Sequence, residues 1–191
     1  MRQKSRNKLS PQAWIDEALK ELSNHAYAGL SVVKLAERLG VTRGSFYHHF
    51  NSLNDLIDAM IAQWEEQVID KGFKEAYERA GSPTEEVRLV IEFIARLTDK
   101  QDLMFRQWAA HNEHVRAHMA RLDKRRLGMM TEMFERLAGD KKRGQAYAKI
   151  AFYGYIGCLN SYPRPSPDRQ KELALEILEL FQHDIQRQRA G

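Results

Sequence analysis

Apolar residues recur every three or four positions along most of this chain, which is the period of amphipathic α-helices rather than of strands. The first such run predicts a helix from Pro11 to about His25, with Ile15, Leu19 and Leu22 facing inward. No stretch shows the strict alternation of a half-buried strand, and the five prolines lie at predicted helix starts or in one loop. The sequence therefore predicts an all-α protein.

Two short helices joined by a tight turn are predicted within residues 31–50. Ser31 precedes an apolar-periodic run, so its hydroxyl can cap the first helix by accepting from free backbone N–H groups. Gly40 gives the backbone the freedom to end that helix. Thr42 is placed to open the second helix, whose inward residues are Phe46 and Phe50.

The outward face of the second helix is polar, and it comprises Arg43, Gly44, Ser45, Tyr47 and His48. The planar fork of an exposed Arg reaches guanine O6 and N7 in the major groove. Hydroxyl, imidazole and ammonium groups hold phosphates, a role that we predict for Thr42, Tyr47, His48 and Lys34. We predict that Arg43 reads bases, with Gly44 and Ser45 in close contact with the DNA.

Residues 11–64 resemble the DNA-binding domain of the tetracycline-repressor (TetR) family. The matching elements are residues 18–22, 29–31, 35–36, 39–42, 46–50 and 55–56, of which Phe-Tyr-His-His-Phe at 46–50 is the most specific. The resemblance implies an N-terminal three-helix helix-turn-helix domain and a C-terminal helical domain for ligand binding and dimerisation. This chain departs from the family pattern at Val33 and Leu53, where the family often carries basic residues that face DNA.

The predicted division is residues 1–52 for the DNA-binding domain and residues 53–191 for the effector-binding and dimerisation domain. A fourth helix over residues 53–80 connects them, and Gly81-Ser82-Pro83 ends it. Five further helices are predicted, and they end at about residues 97, 111, 137, 159 and 186. The resemblance implies that the last two helices of each subunit form a four-helix bundle, through Ala151, Tyr155, Leu159, Ala174, Ile177, Leu178 and Phe181. The alternative is that these residues pack the core of a single chain.

An effector pocket is expected in the helical domain, because residues 105–109 and 125–127 resemble one TetR subgroup. Aromatic and Met side chains form adaptable apolar cavities, which gives these candidate wall residues: Trp64, Phe93, Met104, Trp108, His111, Met130, Phe134 and Tyr153. Each of them alternatively packs the core.

His111, His114 and His118 lie on one helical face if the helix there is unbroken, and such a face can bind a metal. A break at Asn112–Glu113 would split that face, and no cysteine is near. We therefore predict no metal site and no cofactor, and leave a histidine-based metal sensor as a weak alternative.

Composition and charge narrow the function further. The chain has 191 residues, 43% hydrophobic and 29% charged, and no apolar run approaches the roughly 20 residues of a membrane helix. A cytoplasmic location is expected, with association to the nucleoid when DNA is bound. The net charge is +4, and the N-terminus concentrates Arg2, Lys4, Arg6 and Lys8, either as an arm along the phosphates or as a solubilising tail.

The single Cys158 excludes an intramolecular disulfide, and no phosphate loop or nucleophile motif favours an enzyme. We predict a homodimeric transcriptional repressor that binds a palindromic double-stranded operator and is released by a small-molecule effector. The alternative is a DNA-binding adaptor whose helical domain docks a protein partner.

Overall fold

The computed structural model describes residues 9–25, 30–96 and 100–190, and these residues contain helices and loops without a strand. The α-helices are α1 (Pro11–His25), α2 (Val32–Arg38), α3 (Arg43–Phe46), α4 (Leu53–Glu65), α5 (Lys71–Arg79), α6 (Pro83–Arg96), α7 (Lys100–Ala109), α8 (Glu113–Ala138), α9 (Lys141–Asn160) and α10 (Pro167–Ala190). The all-α prediction is confirmed. None of the helices in the described part of the chain is long and apolar enough to cross a membrane.

The chain folds into two compact units. The first comprises residues 1–64 and 100–119, and the second comprises residues 65–99 and 120–191. The first unit thus contains the predicted helix-turn-helix segment, nearly all of α4, and α7. The predicted boundary at residue 52 coincides with the start of α4 along the chain, whereas the first compact unit continues to Trp64.

An aromatic contact forms the centre of the three-helix segment in the first unit. Trp14 of α1 and Phe46 of α3 are both fully buried, with ring centroids 5.2 Å apart and planes at 76°. Edge-to-face packing of this kind stabilises a pair beyond its buried area. Arg38 joins α2 to α1 through an ion pair of 2.6 Å with Glu21.

The predicted fourth helix is interrupted rather than continuous. A π-helical turn, Glu66–Asp70, separates α4 from α5, so the 53–80 segment has a local change of helical register. Arg125 of α8 forms ion pairs with Glu65, which directly precedes the turn, and with Asp70, the last residue of the turn. Hydrogen bonding to Glu65 is the main cause of the raised pKa of the Arg125 guanidinium.

The second unit has a core drawn from α5, α6, α8, α9 and α10. Tyr147 of α9 stacks on Phe181 of α10 with centroids 4.2 Å apart, and Phe134 of α8 meets the same ring edge-on at 5.6 Å. Burial, assisted by a hydrogen bond to Asp184, raises the pKa of Tyr147 to about 12. Arg136 forms an ion pair with Glu86 at 2.6 Å and thereby joins α8 to α6.

Three residues predicted for the dimer surface belong to the interior of the chain. Leu178 and Phe181 lie in the core of the second unit, and Leu159 is 2% exposed. Their apolar character is explained by packing within one subunit, which was the alternative that the sequence left open. The apolar residues of α10 thus include some that are buried in the core and others that are only half-buried.

Close helix packing makes Gly144 of α9 sensitive to substitution. A Cβ atom built there would lie 2.5 Å from the Cα of Glu135 on α8, and a backbone atom cannot rotate away. We expect Gly144→Ala to lower the free energy of unfolding by about 1–3 kcal/mol, because the two helices must separate. Chemical denaturation followed by circular dichroism measures the change.

Gly128 on α8 provides the matched control, since it is exposed and nothing lies within 4 Å of its built Cβ. There, Ala improves helix propensity and should raise the free energy of unfolding by roughly 0.5–1 kcal/mol. Equal effects of the two substitutions would contradict the packing described for α8 and α9.

Candidate DNA-binding interface

The turn between α2 and α3 is built by a cap at each end of α2. The backbone N–H of Lys34 donates to the Ser31 hydroxyl at 3.3 Å, as predicted for an N-cap. Gly40 has φ +65°, and the N–H of Val41 donates to the Ala36 carbonyl at 2.9 Å. This arrangement closes the end of α2 and turns the chain into α3, because Gly adopts positive φ without a steric penalty.

The second motif helix is short, and the protein core holds it in place. α3 spans only Arg43–Phe46, which is far too short to be stable by itself. Phe46 anchors it against Trp14 and also lies 5.4 Å from the Phe50 ring. The backbone of Thr42 is extended, as at an N-cap, but the Thr42 side chain makes no capping hydrogen bond.

Most of the residues predicted to contact DNA are exposed. Arg43, Gly44, Tyr47 and His48 are exposed around α3, and Ser45 is half-buried. Thr42 is exposed before α3, and Lys34 is exposed on α2. The structure therefore places these side chains in one stretch around the turn and leaves them accessible. Their contact with DNA stays a prediction.

Gly44 has no packing reason to be glycine. The nearest atom to a built Cβ is the Thr42 hydroxyl at 3.6 Å, which is an ordinary van der Waals distance, and its φ is not positive. Space above Gly44 is therefore open to an external group. This observation supports the predicted close approach of DNA at this position.

The two departures from the family pattern occupy different environments. Val33 is 42% exposed on α2 next to Lys34, so an apolar side chain stands where a basic one is usual. Leu53 is half-buried at the first position of α4. The predicted basic arm (Arg2, Lys4, Arg6 and Lys8) lies outside the described residues.

A capping box fixes the start of α4 directly after the motif. The backbone N–H of Asp55 donates to the Ser52 hydroxyl at 3.2 Å, and that hydroxyl donates back to the Asp55 carboxylate at 2.6 Å. Asn51 donates to the same carboxylate from its backbone and from its side chain, at 3.0 and 2.9 Å. The hydrogen bonds from Ser52, and then those from Asn51, lower the pKa of Asp55.

The predicted pocket residues fall in both compact units. Trp64 and Trp108 are buried in the first unit around Phe105, and the Trp64 and Phe105 ring centroids lie 5.0 Å apart. Met104 is also buried there, and Phe134 packs in the core of the second unit. Packing accounts for these four.

The remaining wall candidates are more accessible. Met130 is half-buried, while His111 is exposed and Tyr153 is 61% exposed. Phe93 is half-buried and lines a cleft between α5 and α6, where its ring lies directly against Gly72. That cleft contains no other predicted wall residue, and charged side chains of Glu75, Arg79, Glu92 and Arg96 also line it.

The accessible apolar surface of α9 and α10 differs from the predicted one. Ala151, Tyr155, Ala174 and Ile177 are half-buried and stay candidates for a dimer contact. The large apolar residues that are most exposed on these helices are Ile150, Tyr153 and Leu180, at 53%, 61% and 67%. The sequence did not assign them to the dimer surface, and it gave Tyr153 to the effector pocket instead. The sequence does not show which of these residues are exposed, because helical periodicity alone does not say which of two apolar sides faces the core.

The histidine cluster is split, as the sequence allowed. α7 ends at Ala109, the Asn112 side chain caps α8 by accepting from the Val115 N–H at 3.0 Å, and His111 lies in the break. His114 and His118 remain together on α8. Both Nε2 atoms lie 2.6 Å from the same oxygen, Oδ1 of Asp58 on α4.

Comparison with known proteins identifies the motif segment. Residues 15–60 match the family model described as "Bacterial regulatory proteins, tetR family". The chain is also 43% identical over 54 residues to the tetracycline repressor protein class C of Escherichia coli. That match spans 28% of this chain and 25% of the Escherichia coli repressor, so it concerns only part of either protein.

Solved structures share the fold over nearly the full length. A TetR-family transcriptional regulator from Streptomyces coelicolor has a TM-score of 0.75 at 18% identity, covering 91% of this chain and 94% of that one. A transcriptional regulator from Aquifex aeolicus has a TM-score of 0.72 at 20% identity, with coverages of 89% and 98%. A regulator from Saccharomonospora viridis in complex with choline gives 0.69 at 13%, with coverages of 88% and 95%.

The fold and the exposed motif define a helix-turn-helix protein with an additional helical unit. The matched segment and the shared fold both point to the TetR family of bacterial regulatory proteins. Residues 15–60 match the model of that family, and the chain has the fold of a solved TetR-family regulator. Regulators of this family bind DNA operators and typically form dimers.

The capping box predicts a specific acid dependence. Because hydrogen bonds depress the folded-state pKa of Asp55 below its unfolded value of roughly 3.9, the ionised carboxylate stabilises the fold above that pH. This contribution is lost as the pH falls through the folded-state pKa. Asp55→Asn should therefore unfold at lower urea than the wild type at neutral pH, and the difference should shrink in acid. A difference that does not change with pH would contradict the assigned role of the charge.

Proposed function

We propose that this protein is a homodimeric repressor that binds a palindromic operator and is released from it by a small-molecule effector. The observation that carries the proposal is the exposed polar surface of α3, which Phe46 anchors within the segment that matches the family model. The predicted location, the cytoplasm with association to the nucleoid when DNA is bound, follows from this role.

In the proposed complex α3 enters the major groove. Arg43 donates to guanine O6 and N7, while Gly44 and Ser45 allow the backbone to approach the base edges. Thr42, Tyr47, His48 and Lys34 hold phosphates on either side and set the orientation of the helix. Val33 contributes no charge, so Lys34 supplies the nearby positive charge of α2.

Dimerisation through α9 and α10 would give the palindromic operator its symmetry. A two-fold axis repeats the same contacts on both half-sites, with the two α3 helices about one DNA turn or a multiple of it apart. The half-buried Ala151, Tyr155, Ala174 and Ile177, together with the exposed Ile150, Tyr153 and Leu180, provide the apolar surface for this contact.

Release by an effector requires that the effector bind one conformation more tightly than the other. The choline complex of the Saccharomonospora viridis regulator supports a small-molecule ligand for a protein of this fold. Since α4 follows the motif directly, a ligand that displaces α4 would change the separation of the two α3 helices and lower operator affinity. A protein-docking adaptor would keep its DNA when small molecules are added.

Replacing Arg43 tests the assigned base contact. The operator is first selected from random double-stranded DNA with the wild-type protein, and binding of Arg43→Ala is then measured on it and on single-base variants. We expect Arg43→Ala to lose about 1–3 kcal/mol on the selected operator and to relax preference at one base position of each half-site. Lys34→Ala should weaken binding to all sequences alike and reduce its salt dependence.

Arg189→Ala is the control, since Arg189 is exposed in the last turn of α10. This substitution removes the same charge as Arg43→Ala, but outside the motif. It should leave base preference unchanged. The same preference in Arg43→Ala as in the wild type would contradict the assignment of Arg43.

Charge placed on the exposed apolar side of α9 and α10 tests the dimer. We expect the double substitution Tyr153→Glu and Leu180→Glu to weaken dimerisation at least ~100-fold, because unpaired charges would be buried at the contact. Sedimentation analysis should then show a 22.2 kDa species where the wild type sediments as a dimer. Tyr162→Glu, at a loop residue that is 97% exposed, should leave the dimer intact. If the double variant at Tyr153 and Leu180 stays dimeric, the dimer contact must lie on another surface.

A further inference from the structure

Three potential metal ligands converge in the first compact unit, at a place that the DNA-binding function does not use. Asp58 of α4 and His114 and His118 of α8 each offer one ligand atom, and these atoms lie within 4.8 Å of one another. Both imidazole Nε2 atoms are 2.6 Å from Oδ1 of Asp58. The imidazole centroids are 5.0 Å apart and their planes are inclined at 70°.

The local structure explains why these three side chains meet. His114 and His118 are four residues apart on α8, so they occupy the same face one helical turn apart, the spacing that helical metal motifs use. Capping by Asn112 fixes the start of α8 just before His114. Asp58 belongs to the same compact unit and projects from the middle of α4.

We propose that Asp58, His114 and His118 form a binding site for a divalent transition-metal ion, with Zn²⁺ as the test case. Two imidazoles and one carboxylate are a ligand set for Zn²⁺ and related ions rather than for Ca²⁺ or Mg²⁺, which select oxygen ligands. Three protein ligands leave a fourth position for water or for a donor atom of another molecule.

The geometry fits such an ion after a small adjustment. Metal–ligand bonds of about 2.0–2.1 Å in a tetrahedron separate the ligand atoms by roughly 3.3 Å. The two nitrogen–oxygen distances must therefore lengthen by less than one ångström, and the three ligand atoms, which lie within 4.8 Å of one another, must reach that same mutual separation. The three side chains are partly accessible. Their exposed fractions are 47% for Asp58, 34% for His114 and 19% for His118. The same accessibility gives the ion a route to the site.

Direct titration of the full-length protein without a histidine tag tests the proposal. After chelator treatment and removal of the chelator, Co²⁺ is added and its visible spectrum recorded, and Zn²⁺ is then used to displace it. We expect one Co²⁺ ion to bind per chain and Zn²⁺ to displace it. The visible absorption of the bound Co²⁺ should be more intense than that of the free ion, as is typical of Co²⁺ with a low coordination number. Zn²⁺ should also raise the melting temperature, because an ion that binds only the folded state stabilises it.

Variants decide whether these three residues hold the ion. His114→Ala, His118→Ala and the nearly isosteric Asp58→Asn should each weaken binding by at least ~10-fold and abolish the thermal shift. His111→Ala is the matched control, because His111 is an exposed neighbour in the break before α8. It should bind as the wild type does.

Two results would overturn the site. One is a wild type that takes up no stoichiometric Co²⁺ or Zn²⁺, in which case the two imidazoles simply donate hydrogen bonds to Asp58. The other is equal loss of binding in His111→Ala and His118→Ala. Circular dichroism of each metal-free variant controls for folding, and because no DNA is present, the outcome is independent of the operator experiments.

Discussion

The burial of Phe46 against Trp14 is the constraint on which the proposed DNA surface depends. A helix of four residues has no stability of its own, so the direction of its outward side chains is set by the one residue that it buries. Once Phe46 is fixed, Arg43 and Tyr47 must face away from the core. The proposed recognition surface is therefore a consequence of hydrophobic packing on the opposite side of the same short helix.

The connections on either side of α3 reinforce this constraint by satisfying backbone groups. Gly40 ends α2 with a positive φ, and the capping box of Ser52 and Asp55 begins α4. Each of these two local structures limits where the chain can enter or leave the motif, and together they hold α3 between α2 and α4. A mobile loop in either place would leave a four-residue helix with no defined orientation.

The sequence was most informative where helix capping or the backbone freedom of glycine alone determines the local structure. The bounds of α1, the cap at Ser31 and the turn at Gly40 are local effects of capping and backbone freedom, and their placement was confirmed. The all-α class and the family were likewise visible in periodicity and in the motif. The candidate DNA contacts were found because a short polar run on an apolar-anchored helix has a distinctive pattern.

Features that depend on contacts distant in sequence could not be predicted. Asp58 is separated from His114 by 56 residues, and nothing in its own neighbourhood marks it as their partner. The π-helical turn after α4 interrupts a pattern that reads as continuous helix. In α10, periodicity identified an apolar band but not that Leu178 and Phe181 face the core while Leu180 faces outward.

Footprinting of the protein on DNA selected from a random pool tests whether α3 reads the base sequence of an operator. We expect protection of two symmetric half-sites, with major-groove contacts centred about one helical turn or a multiple of it apart. Protection that is uniform along the DNA, or a selection that enriches no sequence, would contradict it, because α3 would then not be reading bases.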